Sequence, residues 1–174
     1  GTIASAFHSD KRYELVYAKG PYVVHMLRTW MGWEKFTQLT AALQDRYKGR
    51  SITTDTIARE ASTIMGYDMF PFFDQWIRDQ GIPKLRYSWS AKDSGDGKFL
   101  VSLRFRQEDI ENFKILMVPI TFDLGVGEPI VLLKPILKPD IEILVKVPVR
   151  PKNVTIDDQR TQLANIRVRL RAAI

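Results

Sequence analysis

The apolar period of this chain changes at Pro83, and that change constrains the fold more than any other feature. Before it the apolar residues recur at helical spacing. Val23, Met26, Leu27 and Trp30 stand at i, i+3, i+4 and i+7, and Gly32 follows as a stop. Phe36, Leu39, Leu43 and Tyr47 repeat the pattern as far as Gly49. A third helix is expected to be capped by Thr54 or Asp55 and to carry Ile57, Ala61 and Ile64 up to Gly66. A fourth is expected from near Asp68 to Gly81, with Pro71 in the first turn, where no intrahelical N–H is required. Phe72, Phe73, Trp76 and Ile77 form its buried stripe, and core packing is the reading of these aromatics.

Beyond Pro83 the pattern alternates. Leu85, Tyr87 and Trp89 are interleaved with charged and hydroxyl residues, Asp96-Gly97 marks a turn, and Phe99, Val101, Leu103 and Phe105 alternate again. Leu116 to Leu124, Ile130 to Leu133, Ile141 to Val149, Val154 with Ile156, and Ile166 to Leu170 bring the total to about seven strands. Pro119 cannot donate to a ladder, so an edge or a bulge is expected there. Short strands without helix-length intervals predict an antiparallel β-sandwich. The expected class is therefore α+β: a helical bundle segment over residues 1–82, then an antiparallel β-sandwich over 83–174, joined by the tight Gly81-Ile82-Pro83 break.

Composition narrows the chemistry. With no cysteine, disulfides and cysteine-zinc sites are excluded, and the compartment stays open. His8 sits among polar residues, and His25 has Thr29 rather than a second histidine at i+4, so neither is half of a helical zinc pair. No apolar run approaches the roughly 20 residues of a membrane helix. The opening Gly1-Thr2 stretch does not read as a signal peptide and suits an excised or processed fragment. Residues 84–174 hold +5 of the net charge of +6, three of those charges on Arg167, Arg169 and Arg171. One basic strand without interleaved aromatics reads as a solvated face or a domain contact, not as a nucleic-acid site.

A resemblance adds to this reading. Glu14-Leu15-Val16-Tyr17-Ala18-Lys19-Gly20, followed by an apolar helical run, resembles the Tyr-x-Lys-Gly helix of the aminopeptidase N-like gluzincin zinc metallopeptidases. Gly32-Trp33-Glu34-Lys35-Phe36 is similar to the start of that family's next helix, and Ser51-Ile52-Thr53-Thr54-Asp55 to the segment opening the third. Phe73-Asp74-Gln75-Trp76-Ile77 with Gly81-Ile82-Pro83-Lys84-Leu85 resembles the passage from the catalytic domain into a β-sandwich. Val154-Thr155-Ile156-Asp157 resembles the strand closing that sandwich.

The resemblance implies that residues 1–82 are the helical end of a catalytic domain and 83–174 its sandwich. It implies that Tyr17 stabilises the oxyanion of a tetrahedral intermediate during hydrolysis of N-terminal residues from peptides. Tyr13 lies four residues earlier, but only Tyr17 precedes x-Lys-Gly; Lys19 reads as structural. The family's H-E-x-x-H, its downstream glutamate ligand and its Gly-x-Met-Glu-Asn stretch are absent from this sequence. Zinc is thus expected in a parent enzyme and not in this chain, which is expected to be inactive alone. The implied partners are a peptide substrate in the parent and the rest of the catalytic domain. Pro21 is expected to start or kink the helix carrying Tyr17. The alternative from another class is a free-standing β-sandwich that binds a protein partner. Substrate preference and oligomeric state are not legible.

Overall fold

Helices fill the first part of the chain and strands the second, in a computed structural model that describes residues 3, 12–108, 111 and 113–168. His8, Arg169, Leu170 and Arg171 lie outside the described residues. The chain divides into two units, Gly1–Gly81 and Ile82–Ile174.

In the first unit, helix α1 (Gly20–Met31) buries Val23, Met26, Leu27 and Met31. A positive φ of 76° at Gly32 lets α2 (Trp33–Tyr47) begin after a single non-helical residue. The Gly32 N–H donates to the Arg28 carbonyl at 2.9 Å, and its own carbonyl accepts from Phe36 at 3.0 Å. Helix α3 (Thr54–Met65) is capped by Thr53, one residue earlier than the sequence suggests. Thr53 is extended, so its Oγ1 reaches back to accept from the Thr56 N–H at 3.2 Å. Asp55 pairs instead with Arg78, which also holds Asp74. The fourth helix is shorter than the expected span from near Asp68 to Gly81: α4 (Phe70–Phe73) passes directly into a π-helical turn, Asp74–Arg78. Phe72 meets Trp30 edge-on at 5.5 Å and Phe73 at 5.3 Å, while Trp76 is fully buried. Each such side chain contributes on the order of 1.5–3 kcal/mol by burial.

Among the described residues Glu60 is the one buried carboxylate of this unit. Arg46 reaches its Oε2 at 2.6 Å and the Tyr47 hydroxyl donates to Oε1 at 3.0 Å, tying α2 to α3. The Arg46 bond above all holds the Glu60 carboxyl below its ordinary value, with Tyr47 adding to it and burial opposing. Tyr47 is raised in turn by donating to that carboxylate. A depressed carboxylate contributes its stability above the unfolded pKa and loses it as the pH falls through the folded one. Glu60→Ala is therefore expected to cost about 1–3 kcal/mol at neutral pH, the loss of a charge-assisted pair. Urea unfolding followed against pH should show the gap to the native chain closing in acid.

The second unit holds seven strands: β1 (Lys84–Asp93), β2 (Phe99–Glu108), β3 (Leu116–Asp123), β4 (Ile130–Ile136), β5 (Asp140–Val147), β6 (Asn153–Ile156) and β7 (Asn165–Val168). They form a four-stranded sheet in the order β5-β2-β1-β7 and a three-stranded sheet in the order β4-β3-β6. Ser94 closes the β1–β2 turn by donating to the Lys98 carbonyl at 2.9 Å, and Asp96 beside it pairs with Lys146 of β5. The period-2 alternation emerges as buried rows, among them Leu85, Leu103 and Phe105 in one sheet and Val118, Ile120 and Phe122 in the other. Tyr87 of β1 donates to the Val154 carbonyl of β6 at 3.4 Å, a bond between strands of the two sheets.

Two details differ from the sequence reading. The β1–β7 pair is parallel, although every other pairing is antiparallel. The Asn165 N–H donates to the Pro83 carbonyl at 2.9 Å, so β7 enters beside the start of β1 and runs with it. Alternation fixes which face a residue takes but not the direction of its strand. Pro119, moreover, lies in the central strand of its sheet rather than at an edge. Its carbonyl accepts from the Asp157 N–H at 2.9 Å, and the place of its missing N–H faces the same way, just past the last β6 pair, Ile120 with Ile156. The proline interrupts no ladder because the ladder has already ended.

Asp157 makes the turn after β6. Its φ is 51°, and its carboxylate accepts from the Thr161 N–H at 2.5 Å, the Thr161 hydroxyl at 2.6 Å and the Gln162 N–H at 2.9 Å.

Candidate functional site

Tyr17 sits in a π-helical segment, Glu14–Lys19, that runs straight into α1. Pro21 explains the widening. In an α-helix a proline ring collides with the carbonyl four residues back, here that of Tyr17. An extra residue in the turn opens that contact, and the Gly20 N–H bonds to the Leu15 carbonyl five residues behind it. The helix is thus unbroken from Arg12 to Met31, in place of the start or kink expected at Pro21. Gly20 keeps helical angles, and a Cβ there would meet only the Leu15 carbonyl, at 3.5 Å.

Leu15 is the buried anchor of this segment, while Tyr17 is 71% exposed and Tyr13 78%. The two rings stack at 5.3 Å with 28° between their planes. Neither hydroxyl makes a hydrogen bond among the described residues, so the Tyr17 phenol is not tied down by packing. Lys19 reaches the Asp79 carbonyl at 3.3 Å, linking the start of α1 to the end of the last helical turn.

His25 lies half-buried on α1, its Nδ1 3.4 Å from an Arg28 nitrogen and its ring edge-on to Tyr22 at 6.2 Å. Among the described residues no group of three or more His, Cys, Asp or Glu side chains is placed to hold a metal. None of their helices is long and apolar enough to cross a membrane. Sequence reasoning missed the Arg46–Tyr47–Glu60 cluster, since Glu60 occupies a polar letter on an otherwise ordinary helix and its partners come from the preceding one.

No protein-family model matches the chain. A stretch of 69 residues is 32% identical to aminopeptidase N of Lactococcus lactis subsp. lactis, which is 40% of this chain and 8% of that protein. Over that stretch the chain is similar to an aminopeptidase. In fold it resembles aminopeptidase A of Legionella pneumophila, solved in complex with aspartic acid, with a TM-score of 0.74 over 91% of the chain at 16% identity. The chain spans 8% of the length of the first of these proteins and 18% of the second.

Proposed function

We propose that this chain is part of a zinc aminopeptidase of the aminopeptidase N-like gluzincin type. Residues 1–82 are the helical end of its catalytic domain, and residues 83–174 form a β-sandwich domain that follows it. Tyr17 is the chain's contribution to the chemistry. The observation that carries this reading is the exposed Tyr17 side chain, displayed on a widened helical turn. The sequence match to an aminopeptidase N and the fold match to an aminopeptidase A support it.

Tyr17 donates its hydroxyl hydrogen to the oxygen that becomes negative when the peptide carbonyl turns tetrahedral. One such donor in a closed site is worth about 2.7–4 kcal/mol of transition-state stabilisation. The stack on Tyr13 fixes the plane of the ring, and Leu15 fixes the helix beneath it. Zinc held by the parent would supply the Lewis acid that polarises the carbonyl and activates water. The described residues offer no site for it, so in this reading its ligands lie outside this chain. The purified chain is expected to release no product from aminoacyl anilides and to carry no stoichiometric zinc. Chelator-sensitive turnover together with one zinc per chain by elemental analysis would overturn the assignment.

A further inference from the structure

The outer face of the four-stranded sheet carries a concentration of arginines. Arg86 of β1 stands opposite Arg106 of β2 on one side and Arg167 of β7 on the other. All three are exposed. Neighbouring strands lie about 4.8 Å apart, so three guanidinium-bearing residues share one row. Like charges directly opposite one another destabilise a sheet, and folding gains nothing from the row itself.

Acidic residues stand close by. On β5, Asp140 stands opposite Arg106 and Glu142 opposite Arg104. Glu142 instead accepts from the Ser102 hydroxyl. Among the described residues neither Arg104 nor Arg106 makes an ion pair, and Arg167 contacts only Asn165 of its own strand, at 3.3 Å. Arg86 reaches Glu108. The surface sinks here into a depression of ≈ 180 Å³ lined by Arg86, Ser88, Arg104, Arg106, Glu108 and Asp140. A second, of ≈ 100 Å³, lies between Lys84, Arg86, Asn165 and Arg167.

We propose that this face docks an acidic polypeptide segment whose carboxylates are received by Arg104, Arg106 and Arg167. A guanidinium fork fits carboxylate and phosphate equally well, so the choice rests on the surroundings. No aromatic side chain points outward on these strands to stack a nucleotide base, as single-stranded nucleic acid requires. Glu108, Asp140 and Glu142 lie on the same face and would repel a continuous run of phosphates. A polypeptide can set amide or basic groups against those carboxylates. It can also cover Leu144, which is 58% exposed between Glu142 and Lys146 on the same face.

The test uses the full chain and fluorescence anisotropy at physiological salt. The probes are a fluorescein-labelled peptide of alternating glutamate and serine, its glutamine counterpart, its lysine counterpart and a labelled single-stranded oligodeoxynucleotide. The glutamate peptide is expected to bind and the glutamine peptide to fail. An exposed ion pair is worth up to about fivefold in affinity, so Arg104→Glu with Arg106→Glu should weaken binding at least about tenfold. The same variant should gain affinity for the lysine peptide, which the native chain rejects; that gain is one an unfolded variant cannot give selectively. Equal binding of the glutamate and glutamine peptides, an unchanged affinity in the variant, or no binding at millimolar peptide would overturn the proposal. Tighter binding of the oligonucleotide, lost in the same variant, would also overturn it and give the face to nucleic acid.

Discussion

Introduced into the parent aminopeptidase proposed above, Tyr17→Phe is expected to lower kcat by about 10²- to 10³-fold, the scale of one lost oxyanion donor. Only the hydroxyl is removed, so the ring still stacks on Tyr13 and the π-helical turn around it keeps its Leu15 anchor. Zinc content should not change. A group acting only in the transition state lowers kcat and kcat/KM together, whereas a group that merely holds substrate raises KM alone. Tyr13→Phe is the control: Tyr13 touches its neighbour through the ring, which phenylalanine retains, and activity should be nearly unaltered. If the two variants behave alike, or if Tyr17→Phe acts on KM only, Tyr17 is not the oxyanion donor.

Asp157→Ala is expected to destabilise the second unit by about 3 kcal/mol, read from guanidinium unfolding midpoints. The carboxylate takes three donors, and Asp157, Thr161 and Gln162 are all buried, so removing it strands two backbone N–H groups and a hydroxyl without water to replace it. Alanine is also poorly suited to the left-handed φ of 51°. Asp157→Asn tolerates that angle and keeps one acceptor, so it should fall between the two. A loss below about 1 kcal/mol for the alanine variant would show that the loop rearranges freely and that the carboxylate is not its anchor.

The elements themselves were legible because each rests on a local rule. Helical spacing from Val23 to Trp30, and alternation from Leu116 to Phe122, reflect which side chains share a face, and burial follows those faces. What escaped depends on residues distant in sequence. The parallel course of β7 is set by a bond from Asn165 to Pro83, and the harmless position of Pro119 by where β6 ends. The π-helical turn was foreshadowed by Pro21, yet sequence reasoning turned that signal into a helix start or kink; a proline can be relieved by widening a turn as well as by breaking it. For the candidate site, the Tyr-x-Lys-Gly spacing singled out Tyr17. Its exposure came only from the fold. The arginine row was foreshadowed by the charge imbalance of the second half, but only the register across three strands brings Arg86, Arg106 and Arg167 together.

The outer border of the three-stranded sheet has a consequence for the chain's solubility. Among the described residues strand β4 has a partner on one side only, and Val131 and Leu133 are exposed along it, a combination that invites another extended chain to add to the sheet. The register sets the limit. With Pro119 turned toward β6, the residues of β4 whose backbone groups face outward are Val131, Leu133 and Pro135. Pro135 has no N–H to offer an incoming strand. Lys134, beside it, lies on the buried face of the row shared with Val118, where an added strand would have to enclose its charge. The same seven residues that complete the sheet thus leave room for only a short run of further pairing, and self-association along this border ends where it begins.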